Sequence, residues 1–149
     1  MNENFTRELN GSALAYIGDA ALELLVRRYL IGLGVTGSGK LNSLALKFVR
    51  ATAQSAAVGR LLPYLTEEEE YMFRRGRNAH GISIPKSASA LEYRRATGME
   101  ALFGYLCLAG KTERSEELFA LAYADVFEEI KINTPAVPSE LKPQNENRT

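Results

Sequence analysis

Apolar residues recur at helical spacing along most of the chain, and nowhere do they alternate with the period of two that marks a half-buried strand. The first helical stretch opens at Asn10 or Ser12, either of which can cap it. It runs to about Leu33, where Gly34 supplies a left-handed stop. Gly34 to Gly39 (GVTGSG) is a loop by composition. A second stretch runs from about Lys40 to Leu62, with a break expected near Gly59, and ends at Pro63. Thr66 and Glu69 form a capping box, and four glutamates fill the opening turn of a third helix, which carries Met72 and Phe73 and ends in basic residues around Arg77. Asn78 to Ser87 (NAHGISIPKS) is a loop. Ser87 or Ser89 then opens a helix through Leu108, with Gly110 after it, and Thr112 caps a last helix to about Ile130. The pattern predicts an all-α domain over residues 1–132 and a polar tail over 133–149, which holds three prolines and is expected to be disordered.

Two of these helices carry few charges. From Ser12 to Val26 the only charged residues are Asp19 and Glu23, and from Ala96 to Gly110 the only one is Glu100. On a helical wheel Leu14, Ile17, Ala21, Leu24 and Leu25 share one face. Asp19 and Glu23 share the opposite face, flanked by Ala15, Leu22 and Val26. Helices this apolar are expected to be buried on most sides, with Leu22 and Val26 available for contacts between two subunits. A carboxylate there is costly unless it is paired, protonated or bound to a cation. A single such acid most often accepts hydrogen bonds from an arginine or from backbone amides; three on two central helices point to a shared site. Oxygen donors with few imidazole or thiolate groups nearby suit Mg²⁺, or Mn²⁺. Gly18, Gly98 and Gly104 flank the acids, and close helix–helix approach is a reason to keep them in spite of their cost of about 1 kcal/mol each.

Composition narrows the classes. The 149 residues lead one to expect one domain, two at most. The one cysteine, Cys107, excludes an intramolecular disulfide and a cysteine-based zinc cage, and reads as a buried small hydrophobe. The one histidine, His80, falls in the polar loop and excludes multi-histidine metal sites. No apolar run is long enough for a membrane span, and the N-terminus lacks the pattern of a signal peptide, so a cytoplasmic location is expected.

Net charge is zero, with 18 basic and 18 acidic residues, which taken alone argues against a nucleic-acid partner. Segment counts change that. Lys40 to Arg60 holds Lys40, Lys47, Arg50 and Arg60 and no acid; Arg74 to Arg95 holds six cations against Glu92. Acids balance them at Glu67 to Glu70 and between Glu100 and Ile130. A polarised surface is expected, with the basic stretches toward a polyanion and the last helix turned away. Arg74, Arg75, Arg77 and Asn78, followed by a loop carrying Lys86, are candidates for phosphate contacts, because the guanidinium fork binds phosphate oxygens bidentately. Lys47 and Arg94 are further candidates. No aromatic residues interleave with these charges, so a duplex backbone fits better than a stacked single strand.

The run Leu14-Ala15-Tyr16-Ile17-Gly18-Asp19-Ala20, followed by Glu23, resembles the signature helix of the ribonuclease III family. Glu100-Ala101-Leu102-Phe103-Gly104-Tyr105-Leu106 is similar to that family's second acidic motif. The blocks Leu65 to Glu70 and Arg74 to Ala79, with Pro85-Lys86 and Tyr93-Arg94, resemble the branch without a double-stranded-RNA-binding domain, Mini-ribonuclease III. The resemblance covers about residues 8–130. It implies a ribonuclease III endonuclease-domain-like helical fold and a homodimer holding duplex RNA, rather than DNA, in a shared valley. It implies Mg²⁺-dependent phosphodiester hydrolysis that leaves 5′-phosphate and 3′-hydroxyl ends, with maturation of large-subunit ribosomal RNA precursor as the task. Asp19 and Glu100 fall on its catalytic, metal-associated positions, and Glu23 on a frequent acidic one.

The sequence departs from the full-length ribonuclease III pattern at two places, where Ala15 and Thr97 stand at positions that are acidic there. The absent acids favour an alternative, a non-catalytic RNA-binding module of the same fold acting in ribosome assembly; the retained Asp19 and Glu100 oppose it. A plain helical protein-interaction domain with paired acids is the third reading.

Overall fold

The computed structural model describes residues 2–81, 83–86 and 89–133; the calls on Ser87 and on residues 134–149 of the tail fall outside them, and Asn133, expected in the tail, ends the last helix. Eight α-helices follow in order: α1 Glu3–Glu8, α2 Gly11–Gly32, α3 Ser38–Val49, α4 Ala51–Leu61, α5 Glu67–Arg77, α6 Ala90–Leu108, α7 Thr112–Ala122 and α8 Ala124–Asn133. A 3₁₀ turn, Leu62–Tyr64, joins α4 to α5. No strand occurs among the described residues, so the all-α reading holds.

Helix α6 is the central element. Every residue from Ala101 to Leu106 is buried, and α2, α4, α5 and α7 pack around it. Glycines set the closest of these contacts. A Cβ on Gly18 would stand 1.6 Å from the Glu100 carbonyl oxygen, and one on Gly104 would stand 1.9 Å from the Leu14 carbonyl oxygen. The backbones of α2 and α6 therefore touch where the two acidic motifs cross, as the glycine positions predict.

That contact turns α2 away from the face expected of it. Its buried residues are Gly11, Leu14, Ala15, Gly18, Leu22, Val26 and Leu30. Of the predicted apolar face, Leu14 is fully buried, Leu24 is 57% exposed, and Ile17, Ala21 and Leu25 are intermediate. The small residues seat the neighbouring helix, and the bulkier ones fall to the flanks or outside. Leu22 and Val26, expected at a subunit contact, are buried within the chain; Tyr16, Leu24 and Ile31 are the exposed large apolar residues of this helix.

Other corrections have comparable causes. The break in the second helical stretch falls at Arg50, whose ψ of 142° is extended, and not near Gly59, which is interior to α4. In one straight helix Leu44 and Phe48 would point opposite to Ala57 and Leu61; the bend lets both sets reach the core. The last stretch divides at Tyr123. Lys111, not Thr112, is the N-cap of α7, because Gly110 at φ 71° closes α6 and the Lys111 N–H donates to the Leu106 carbonyl at 2.8 Å. Cys107 is exposed rather than buried. The predicted left-handed stop at Gly34 and the capping box at Thr66 and Glu69 are both present.

An aromatic cluster joins α8 to α2 and α3. Tyr29 stacks on Phe127 at 3.9 Å, and Phe48 lies 5.2 Å from the Tyr123 ring and 5.8 Å from Phe119. A buried ion pair joins α5 to α7: the Arg114 guanidinium donates to both Glu69 oxygens at 2.9 Å and to the Tyr64 carbonyl at 2.7 Å. The same Glu69 accepts from the Thr66 N–H in the capping box.

Candidate functional site

Asp19, on α2, and Glu100, on α6, meet beside the glycine crossing and line one groove of about 900 Å³. Glu23 and Arg27, one and two turns further along α2, line it too. Asp19 is exposed and Glu100 partly buried, so the expectation of buried acids holds for Glu100 alone. Among the described residues neither Asp19 nor Glu100 has a hydrogen bond or ion pair from the protein. Burial and, next, the charge of Asp19 push the Glu100 carboxyl up to about 7. Glu23 is differently placed. Its carboxylate pairs with Arg27 at 2.5 Å, both on the exposed side of the helix.

The two replaced acids do not rejoin this site. Ala15 is buried, and the Thr97 hydroxyl donates to the Tyr93 carbonyl of its own helix at 2.9 Å. Among the described residues no cluster of three or more His, Cys, Asp or Glu side chains forms. The donor set is thus two carboxylates facing one groove without a protein cation between them. Hard oxygen donors and surplus negative charge fit a divalent cation that keeps much of its own hydration, as Mg²⁺ does.

The groove also contains groups that local sequence does not flag. Gln54 comes from α4, and Tyr123 from the junction of α7 and α8. Only the packing of distant helices brings them there. The one signal in the sequence for Tyr123 is its place inside an otherwise regular helical stretch.

The basic candidates gather elsewhere. Arg74, Arg75, Asn78 and His80 line a second cavity, of about 760 Å³, with Asn10 and Ser12 at the start of α2. Arg74 is exposed, while Arg75 lies over the Tyr71 ring at 5.7 Å and donates to the Arg7 carbonyl. Arg77 donates to the Asn78 side chain at 3.2 Å, and Lys86 is exposed in a turn. Arg94 faces inward, donating to the carbonyls of Arg77 and Ala79 at 3.2 and 3.3 Å, which holds the end of α5 against α6. Lys47 pairs with Glu129 at 2.5 Å and Arg60 with Asp125 at 2.8 Å. The acidic α8 therefore covers part of the Lys40–Arg60 stretch instead of turning away from it. Helix α8 packs beside α3, where Lys47 meets Glu129, and Arg60 of α4 reaches Asp125 at its start. Among the described residues no helix is long and apolar enough to cross a membrane.

Comparison with known proteins adds to this geometry. The ribonuclease III domain family model matches residues 12–111. The Mini-ribonuclease 3 of Symbiobacterium thermophilum is 50% identical over 115 residues, covering 77% of this chain and 88% of that protein. The Mini-ribonuclease 3 of Clostridium tetani is 40% identical over 138 residues, covering 89% and 91%. A crystal structure of a Fusobacterium nucleatum protein superposes with a TM-score of 0.68 at 29% identity, over 86% of this chain and 97% of that one.

Proposed function

The chain belongs to the Mini-ribonuclease III branch of the ribonuclease III family, and from that premise we propose that it is a Mg²⁺-dependent endoribonuclease cleaving double-stranded RNA. The observation that carries the reading is the pairing of Asp19 and Glu100 on one groove, without protein partners and with the proton affinity of Glu100 raised. An acid pair serving only structure would be neutralised by an arginine or by backbone amides, as Glu69 is in this same molecule.

Asp19 and Glu100 would hold the cation, Glu100 entering as the carboxylate. When bound, the cation stabilises negative charge developing on a phosphate oxygen and favours ionisation of an attacking water. Glu23 and Arg27 flank the pair. Arg74, Asn78 and Lys86, with Arg75 and Arg77, contact phosphates of the duplex backbone. Arg94 holds the carbonyls at the end of α5 and supports that surface from behind. The products carry 5′-phosphate and 3′-hydroxyl ends, and the proposed substrate is large-subunit ribosomal RNA precursor.

The working unit is a homodimer. Tyr16 at 84% exposed, Leu24 at 57% and Ile31 at 53% lie along one side of α2, an apolar stripe that a second copy would cover. The test is cleavage of a short RNA duplex with Mg²⁺ and with EDTA, with product ends mapped. Asp19→Asn and Glu100→Gln are assayed alongside, and full activity in both would remove the assignment. Binding without cleavage after Mg²⁺ is added would select the non-catalytic reading.

A further inference from the structure

We propose that Tyr123 is a positioning residue of the Asp19–Glu100 site: its phenolic O–H donates to a single water that bridges to the Glu100 carboxylate and fixes that carboxylate's orientation. The inference rests on the nuclease reading above.

Tyr123 stands where α7 ends and α8 begins, with φ −114° and ψ 26°. Its ring is locked between Phe48 at 5.2 Å and Phe119 at 5.3 Å, so only 3% of the residue is exposed. A tyrosine in that setting usually finds a partner for its hydroxyl inside the protein. This one has none among the described residues, yet its hydroxyl oxygen is not sealed in, unlike that of Tyr29. Tyr123 lines the same groove as Asp19 and Glu100. The carboxylates whose charge acts on the Tyr123 hydroxyl are Glu100 and Asp125. Asp125 is itself occupied by Arg60 at 2.8 Å. Glu100 is then the neighbouring acceptor without a protein partner. Two of the acids expected in full-length relatives are absent, so the orientation of each remaining carboxylate matters more here. A phenol on a packed aromatic ring supplies a fixed donor without adding charge.

The test uses Tyr123→Phe in the full chain, which removes the hydroxyl and keeps the ring. Three readouts are needed: melting in EDTA, Mn²⁺ affinity by calorimetry or electron paramagnetic resonance, and kcat and KM on a short RNA duplex. The melting temperature should stay within about 2 °C of the parent. Mn²⁺ affinity and kcat should each fall about fivefold to tenfold with KM unchanged, the size expected for one hydrogen bond to a charged group. In the Glu100→Gln background the same substitution should leave Mn²⁺ binding where Glu100→Gln alone puts it. Unchanged Mn²⁺ affinity and kcat in Tyr123→Phe would overturn the inference. So would a rise in KM alone, which would place the hydroxyl on RNA. Parental Mn²⁺ affinity and cleavage in Glu100→Gln would instead bring down the nuclease site itself, a result distinct from either.

Discussion

Glu69 and Glu100 are the same residue type at two depths in one small fold, and they are handled in opposite ways. At Glu69 burial works to raise the carboxyl, but the Arg114 guanidinium and the Thr66 N–H outweigh it and hold the group below its ordinary range. At Glu100 burial acts with the charge of Asp19 and no protein donor answers, so the carboxyl rises to about 7. The first is a finished interaction that pins α5 to α7. The second is an unfinished one, kept open on a groove. An acid with all its partners inside the chain is architecture; an acid without them at an accessible crossing is a place for something from outside.

The comparison can be broken most sharply at the groove. Asp19→Asn and Glu100→Gln should each lower duplex cleavage by at least about a thousandfold, because transition-state charge stabilisation by a bound cation is worth several kcal/mol. Circular dichroism should show both variants folded. Steady-state cleavage near the parental rate would mean that the two glutamates do not differ in role.

Next in size is the finished pair. Arg114→Ala leaves Glu69 buried without its guanidinium and should cost about 3 kcal/mol in urea unfolding. Cleavage by the fraction still folded should be unchanged. The Glu69 contribution should be lost as pH falls through its depressed folded value, and be present above the ordinary carboxylate range.

Glu100 should show the reverse dependence. Its folded value, about 7, lies above its unfolded one, so stability in EDTA declines as pH rises from the ordinary carboxylate range through 7. Glu100→Gln should therefore stabilise the protein at pH 8 by on the order of 2 kcal/mol, and by little below pH 4. Equal stability of the two proteins across that range would show that Glu100 is satisfied after all.

The smallest effect belongs to the basic cavity. Arg74→Ala should weaken duplex binding without regard to sequence and reduce the slope of log affinity against log salt by about 1. Lys47→Ala, whose parent side chain is paired with Glu129, should change that slope less.

Much of this is legible in the sequence. The capping box, the glycine stops at positions 34 and 110, and the near absence of charge in two helices come from short-range rules, which depend on neighbours within a turn or two. The same rules misjudged the face of α2, since a wheel weighted by bulky residues cannot anticipate a contact made by Gly18 and Gly104. They placed the bend at Gly59 although Arg50 has no special backbone preference; the bend exists because Phe48 and Leu61 must both reach the core. Segment charge counts found the Arg74–Arg77 cluster but could not show that α8 would neutralise Lys47 and Arg60.

The sequence by itself determined that the chain is helical, where most helices start and stop, and which two acids stand in helices otherwise almost free of charge. Those are matters of local propensity, capping and spacing. Only the tertiary structure decided which carboxylate would be satisfied and which left open. Glu69 meets Arg114 across 45 residues, while Glu100 meets Asp19 across 81 and finds no cation. Ionisation depends on solvent and on charges within a few ångströms, and in a folded chain those neighbours are set by packing rather than by order along the backbone.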